Sequence, residues 1–177
     1  KVLLIVGSPA INPESGTIVL GTAEGGIKVT LYNVNALDLD NVGMMNDWYF
    51  STMHHEFAHI LHQTKNYPTE FNEISAGKYP LGGWVNLSDA EAWNRGFVSP
   101  YGGSAPEEDF VEYIANYLLQ SDQWWENMLD TADDWGRDAI EEKFAIVEKW
   151  MEDSWNIDIH HLQSIIRRRQ TELSSLY

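Results

Sequence analysis

At 177 residues the chain has the length of one domain able to bury a core, and 44% hydrophobic with 12% aromatic residues excludes a disordered chain. It contains no cysteine, which removes disulfides, thiolate nucleophiles and cysteine-held zinc, so a metal would have to sit on His, Asp or Glu. Net charge is −16, and the segment from Ser104 to Asp153 carries 15 acidic against 3 basic residues, a balance of −12 that repels nucleic acid and anionic membrane surfaces.

Val2 to Val6 is a continuous apolar run closed by Gly7, the pattern of a buried strand. Residues Asn12 to Gly16 are turn chemistry. Thr17 to Leu20 and Ile27 to Tyr32 then read as a hairpin joined through Gly21 to Gly26. The second of these strands is the expected sheet edge, along which an extended peptide could lie by strand addition. A polar connection from Asp38 leads into a long helix, about 43–64, on which Trp48, Thr52, His55, His59 and His62 share one face. Phe57, Ile60 and Leu61 cover another face, expected to pack on the sheet.

Residues Pro68 to Gly103 are irregular apart from one helical turn expected near Thr69 to Ile74 and a short helix expected near Asp89 to Arg95, capped by Ser88. A strong helix starts at Pro106, with Ser104 as its expected cap and three acidic residues at its positive end. One short helix follows within Ser121 to Asp134. Asp138 to Asp153 shows a stripe of Ile140, Phe144, Val147 and Met151, and a last helix runs from Asp158 to about Ser174. The tryptophans are read as core, and the basic run Arg167 to Arg169 as a solvated helix end. No apolar run reaches the roughly 18 residues of a membrane span. The chain opens at Lys1 with a strand pattern, so any leader or anchor is expected to lie outside it.

The chemistry concentrates in His55-Glu56-Phe57-Ala58-His59. Histidines four apart on a helix stand one above the other, about 6 Å along the axis, and can share one ion. Glu56 is turned by about 100° from His55, beside the metal position rather than on it, where it can take a proton from water. A catalytic zinc needs a third protein ligand. His62 lies on the same face but about 10.5 Å along the axis from His55, too far for one straight helix to supply all three. Glu108 and Glu112 offer a better source: they share a helix face, so one could bind metal while the other supports a ligand histidine. Imidazole and carboxylate donors suit zinc and accept other divalent ions as well.

Tyr101-Gly102, seven residues before Glu108, together with the Glu-x-x-x-Glu helix, resembles the catalytic domain of anthrax lethal factor and its relatives. That resemblance implies Glu108 as third ligand, Glu112 as the carboxylate behind the ligands and Tyr101 as a donor to the transition state. Over nearly the whole chain the sequence also resembles the substrate-import-associated zinc metallohydrolase lipoproteins. The matching residues are Leu20 to Gly26, His55 to Gln63, Gly96 to Ser99 and Glu108 to Glu112.

The resemblance implies a zincin-like α+β fold in a single domain, 1–177. A small N-terminal mixed or antiparallel sheet (about 1–37) would pack on the active-site helix (about 43–64), with a mainly helical part at about 104–176. It implies a peptidase holding one Zn2+ on His55, His59 and Glu108, with Glu56 and Tyr101 catalytic and with His62 and Glu112 supporting the ligands or facing substrate. Its expected partners are a peptide or protein substrate and components of an outer-membrane nutrient importer, with neither nucleic acid nor a transmembrane segment. Its expected place is the cell envelope, as a periplasmic or cell-surface lipoprotein. Two readings compete with it: a zinc-bearing accessory binding module without turnover, and a helical structural domain with an accidental motif.

Overall fold

A computed structural model describes residues 1–13, 16–81 and 83–174. The fold is α+β: among the described residues 61% are helical and two small sheets form. The chain packs as two compact units, one formed by Lys1–Asn66 with the chain from Ser164 onward, the other by Tyr67–Gln163.

In the first unit, β1 (Val2–Ile5), β5 (Lys28–Leu31) and β4 (Gly21–Glu24) form a sheet in the order β1-β5-β4, while β2 (Ala10–Ile11) and β3 (Ile18–Val19) form a separate antiparallel pair. β1 runs parallel to β5, with Val2 opposite Lys28, and β4 runs antiparallel to it, with Gly21 opposite Leu31. Three expectations change here. The hairpin partner of β5 is the glycine-containing segment Gly21–Glu24, read above as the connection; the turn is Gly25-Gly26, both at positive φ (59° and 66°), which only glycine adopts without strain. β5 is the central strand, because β1 and β4 occupy its two sides, so the sheet edge beside the helix is β4. β1 is not buried: Val2, Leu3, Leu4 and Ile5 are 45–53% exposed.

The helical run that follows begins as α1 (Val42–Met44), capped by the Asn41 side chain, widens into a π-helical turn (Met45–Phe50) and continues as α2 (Ser51–Thr64). α2 packs on β4 and β5. Ile60 joins Val29 and Leu31 in a small core, flanked by Ala23, Tyr49 and Met53. Leu61 is buried as expected, but Phe57 is 47% exposed and Trp48 54%, so neither is core.

The second unit is built on α7 (Asp134–Trp155), which packs against α3 (Glu70–Ile74), α4 (Asp89–Trp93), α5 (Pro106–Leu119) and α6 (Asp122–Thr131); α8 (Ile159–Ser174) follows it. Ser88 caps α4 in a reciprocal box with Glu91. Ser104 does not cap α5. The residue before a proline is driven to extended backbone, so Ala105 (φ −160°, ψ 157°) takes the cap position, and the Ser104 hydroxyl donates to the Tyr101 carbonyl instead. Phe71, Phe97, Phe110, Tyr113 and Trp150 fill the core, with Phe71 and Trp150 both edge-on to Phe110.

A fully buried ion pair lies within that core. Lys143 Nζ donates to Asp109 Oδ2 at 2.5 Å and to the Gly96 carbonyl at 2.9 Å, and the rings of Phe97, Phe71 and Tyr113 stand 4.8, 5.0 and 5.8 Å from it. Burial raises the Asp109 carboxyl to about 7, against the opposing pull of Lys143, and burial lowers the Lys143 ammonium.

Candidate metal centre

His55, Glu56 and His59 are 8, 7 and 9% exposed on α2. The helical spacing brings the two imidazoles together with ring centroids 4.8 Å apart and their Nε2 atoms 3.1 Å apart. Two nitrogens on a tetrahedral zinc, each about 2.0–2.1 Å from the ion, stand about 3.3 Å from one another. The observed separation is close to that edge, so the pair fits a shared ion with little adjustment.

His62 reaches His59 from the other side. Its Nε2 lies 2.8 Å from His59 Nδ1, with the rings 5.1 Å apart. When His59 presents Nε2 to an ion, its Nδ1 carries the proton and donates to His62 Nε2, which fixes both tautomers. Toward the helix start, burial pushes the neighbouring His54 down to about 4, so it is neutral at physiological pH.

Glu56 meets β4 directly. A Cβ built on Gly21 would stand 2.6 Å from Glu56 Cγ, 2.8 Å from its Oε1 and 2.7 Å from Thr52 Cγ2. The strand can lie against Glu56 only because position 21 has no side chain. Gln63 stitches the same strand to the helix: its Oε1 accepts from the Gly26 amide at 2.8 Å, and its Nε2 donates to the Ala23 carbonyl at 3.2 Å. Sequence reading gave neither residue a role. Both lie in the stretches Leu20 to Gly26 and His55 to Gln63 that carried the resemblance, but the contact itself needs the strand order.

The second unit holds the other expected residues. Tyr101 opens a 3-10 turn (Tyr101–Ser104), is 37% exposed, and takes the Trp84 ring edge-on at 5.0 Å. Glu108 and Glu112 are half-buried on α5. Glu112 Oε2 accepts from the Ser99 hydroxyl at 2.5 Å and from Asn116 Nδ2 at 3.2 Å, while the Ser99 oxygen accepts from the Gly102 amide at 3.1 Å. Glu112 therefore grips the tyrosine-bearing turn through Ser99, a residue the spacing argument did not single out. Asp109, next to Glu108, is held by Lys143 and by the Tyr79 hydroxyl, which fixes the helix at that point.

A search of curated proteins finds no match. A solved structure, described as that of "a putative zinc-binding metallo-peptidase from Bacteroides caccae", is 48% identical to this chain and superposes with a TM-score of 0.78. The match covers 98% of this chain and 66% of that one, so the chain spans somewhat less than two thirds of its solved relative. Residues 1–160 match the family model described as "Putative zinc-binding metallo-peptidase". With its paired histidines and buried glutamate inside the matched region, the chain belongs to that family of zinc-binding metallo-peptidases.

Proposed function

We propose that this chain is a zinc-dependent peptidase in which His55, His59 and Glu108 hold a single ion. These three side chains can each offer one ligand atom to it. The observation that carries the reading is the convergence of the His55 and His59 Nε2 atoms beside a buried Glu56, with His62 behind His59. Bound zinc supplies Lewis acidity, polarising a carbonyl and acidifying water.

Glu56, pressed between the helix and Gly21, takes a proton from the attacking water and delivers it to the leaving amine. His62 holds His59 in the tautomer that leaves its Nε2 lone pair for the ion. Tyr101 donates a hydrogen bond to the oxyanion, as the lethal-factor resemblance implies, and Glu112 and Ser99 set the turn that carries it. Substrate lies extended along β4, which has β5 on one side and, among the described residues, no strand on the other. The proposal also takes up the envelope location and the importer partners that the lipoprotein resemblance implies.

The test is Glu56→Gln, a change that keeps size and removes the base. Zinc content by elemental analysis is expected to stay at one per chain while cleavage of a mixed peptide library falls at least about 100-fold. A variant that keeps both zinc and full activity overturns the mechanism.

A further inference from the structure

Inside the second unit a single buried cation joins the two segments that carry Glu108 and Tyr101. Lys143 Nζ donates to Asp109 Oδ2, one residue after Glu108 on α5. It also donates to the Gly96 carbonyl, at the head of the segment Gly96 to Ser99 that leads into the Tyr101 turn. We infer that Lys143 is a positioning residue of the metal centre, holding Glu108 and Tyr101 in fixed relation to each other from inside the core. The inference rests on the zinc reading above.

Stability alone gives no reason for the pair. Two charges taken out of water are compensated only when their remaining donors and acceptors are bonded, and apolar side chains of similar volume often replace such pairs without loss. Asp109 Oδ1 is buried and has, among the described residues, no hydrogen-bond partner. The rings of Phe71, Phe97 and Tyr113 already surround Nζ, a setting in which a methionine would pack. What a charged pair adds is direction, since its hydrogen bonds fix where the helix and the carbonyl stand.

The start of α5 is where direction is needed. Its cap position is Ala105, and no side chain bonds the free amides of its first turn. Helix ends fray, and Glu108 sits in that turn. Asp109 is turned by about 100° from Glu108, so the carboxylate gripped inside the core sets the direction of the one offered to the ion. Tyr113, four residues further on the same face as Asp109, adds a second grip: its hydroxyl donates to the Gly96 carbonyl at 2.9 Å. A carboxylate about 5–6 Å from the helix axis moves by about 1 Å when the helix turns by about 10°. A misplacement of that size costs on the order of 100-fold in rate.

The Tyr101 turn meets the same residue. A Cβ built on Gly102 would stand 3.5 Å from both Cα and Oδ1 of Asp109. Gly96 has φ 74°, and a Cβ there would stand 2.9 Å from Ala139 Cβ and 3.0 Å from Ser75 Oγ. The carbonyl that Lys143 grips is therefore itself wedged in place. Three residues further on, the Ser99 hydroxyl closes on Glu112.

The experiment uses the full chain loaded with Zn2+ or Co2+, at a temperature where each variant is folded by circular dichroism. Asp109→Asn combined with Lys143→Met removes both charges at nearly constant volume. The double variant is expected to raise the Zn2+ dissociation constant about 10- to 100-fold in competition with a chromophoric chelator. It is also expected to alter the visible bands of bound Co2+ and to lower kcat with little change in KM. Tyr79→Phe removes one bond to Asp109 and leaves the pair, and is expected to raise the Zn2+ dissociation constant on the order of 3-fold. Met128→Ala opens a hole in the core on α6 and is expected to leave Zn2+ affinity, Co2+ bands and kcat at their wild-type values.

Wild-type Zn2+ affinity and Co2+ bands in a folded double variant overturn the inference and leave the peptidase reading in place. Where the double variant does not fold, an unchanged Zn2+ affinity in Tyr79→Phe overturns it. An equal fall in affinity in Met128→Ala also overturns it, because the effect then follows lost stability alone. A wild type that binds Zn2+ and cuts no peptide overturns the peptidase reading, while weakened Zn2+ in the double variant still supports the positioning role.

Discussion

Gly21 leaves no room for a methyl group beside Glu56, since the nearest side-chain atom would be 2.6 Å from it. Gly21→Ala must therefore push the carboxylate, Thr52 or the strand away, and a misplacement of about 1 Å at a catalytic group costs on the order of 100-fold in rate. The expected outcome is a kcat lowered by about that factor with zinc content unchanged, measured on any peptide the wild type cleaves. The histidine spacing was legible in the sequence, because four residues on a helix fix which imidazoles meet. His62 was legible in part: its place on the same face as His59 was read from the spacing, and its contact with His59 Nδ1 is the consequence of being three residues further on. Gly21 and Ser99 were not legible as site residues, because their roles depend on which strand and which turn come to lie beside the site.

At the scale of elements, the helices were read closely and the strands were not. Ser88, Ser121 and Pro106 mark helix starts through local chemistry, and the chain obeys them at Asp89, Asp122 and Pro106. Strand order has no such local signature. Thr17 to Leu20 has the apolar character of a hairpin strand, yet Ile18–Val19 pairs with β2 and the glycine-rich Gly21–Glu24 pairs with β5, because the tight turn falls at Gly25-Gly26. What ties that hairpin to α2 is Gln63, whose amide serves both Gly26 and Ala23. Gln63→Ala removes a donor and an acceptor at once and is expected to lower stability by about 1–2 kcal/mol in urea unfolding. The π-turn also escaped the sequence reading, which treated 43–64 as one regular helix and so grouped Trp48 with the histidines.

For the whole molecule, composition set the class and left two large features unseen. Acidic excess between Ser104 and Asp153 gave no hint that Asp109 and Lys143 leave solvent entirely. Lys143, three residues after Ile140 and four before Val147, lies beside the apolar stripe of α7, and the packing of Phe71, Phe97 and Tyr113 around it shows that its charge goes inside with it. Lys143→Met leaves the Asp109 carboxyl buried without its cation and is expected to cost about 3–5 kcal/mol in a denaturant melt. The double variant Asp109→Asn with Lys143→Met is expected to lose less than the sum of the two single changes. The other unseen feature is β1, the outer strand of its sheet, whose four aliphatic side chains stay about half in solvent. Such a rim is a template on which another copy can add in register, so the colloidal behaviour of the isolated chain is set there and not at the metal centre. Its sedimentation coefficient is expected to rise with concentration despite the strong mutual repulsion of a −16 charge, and Leu3→Lys is expected to flatten that dependence while peptide cleavage stays as it was.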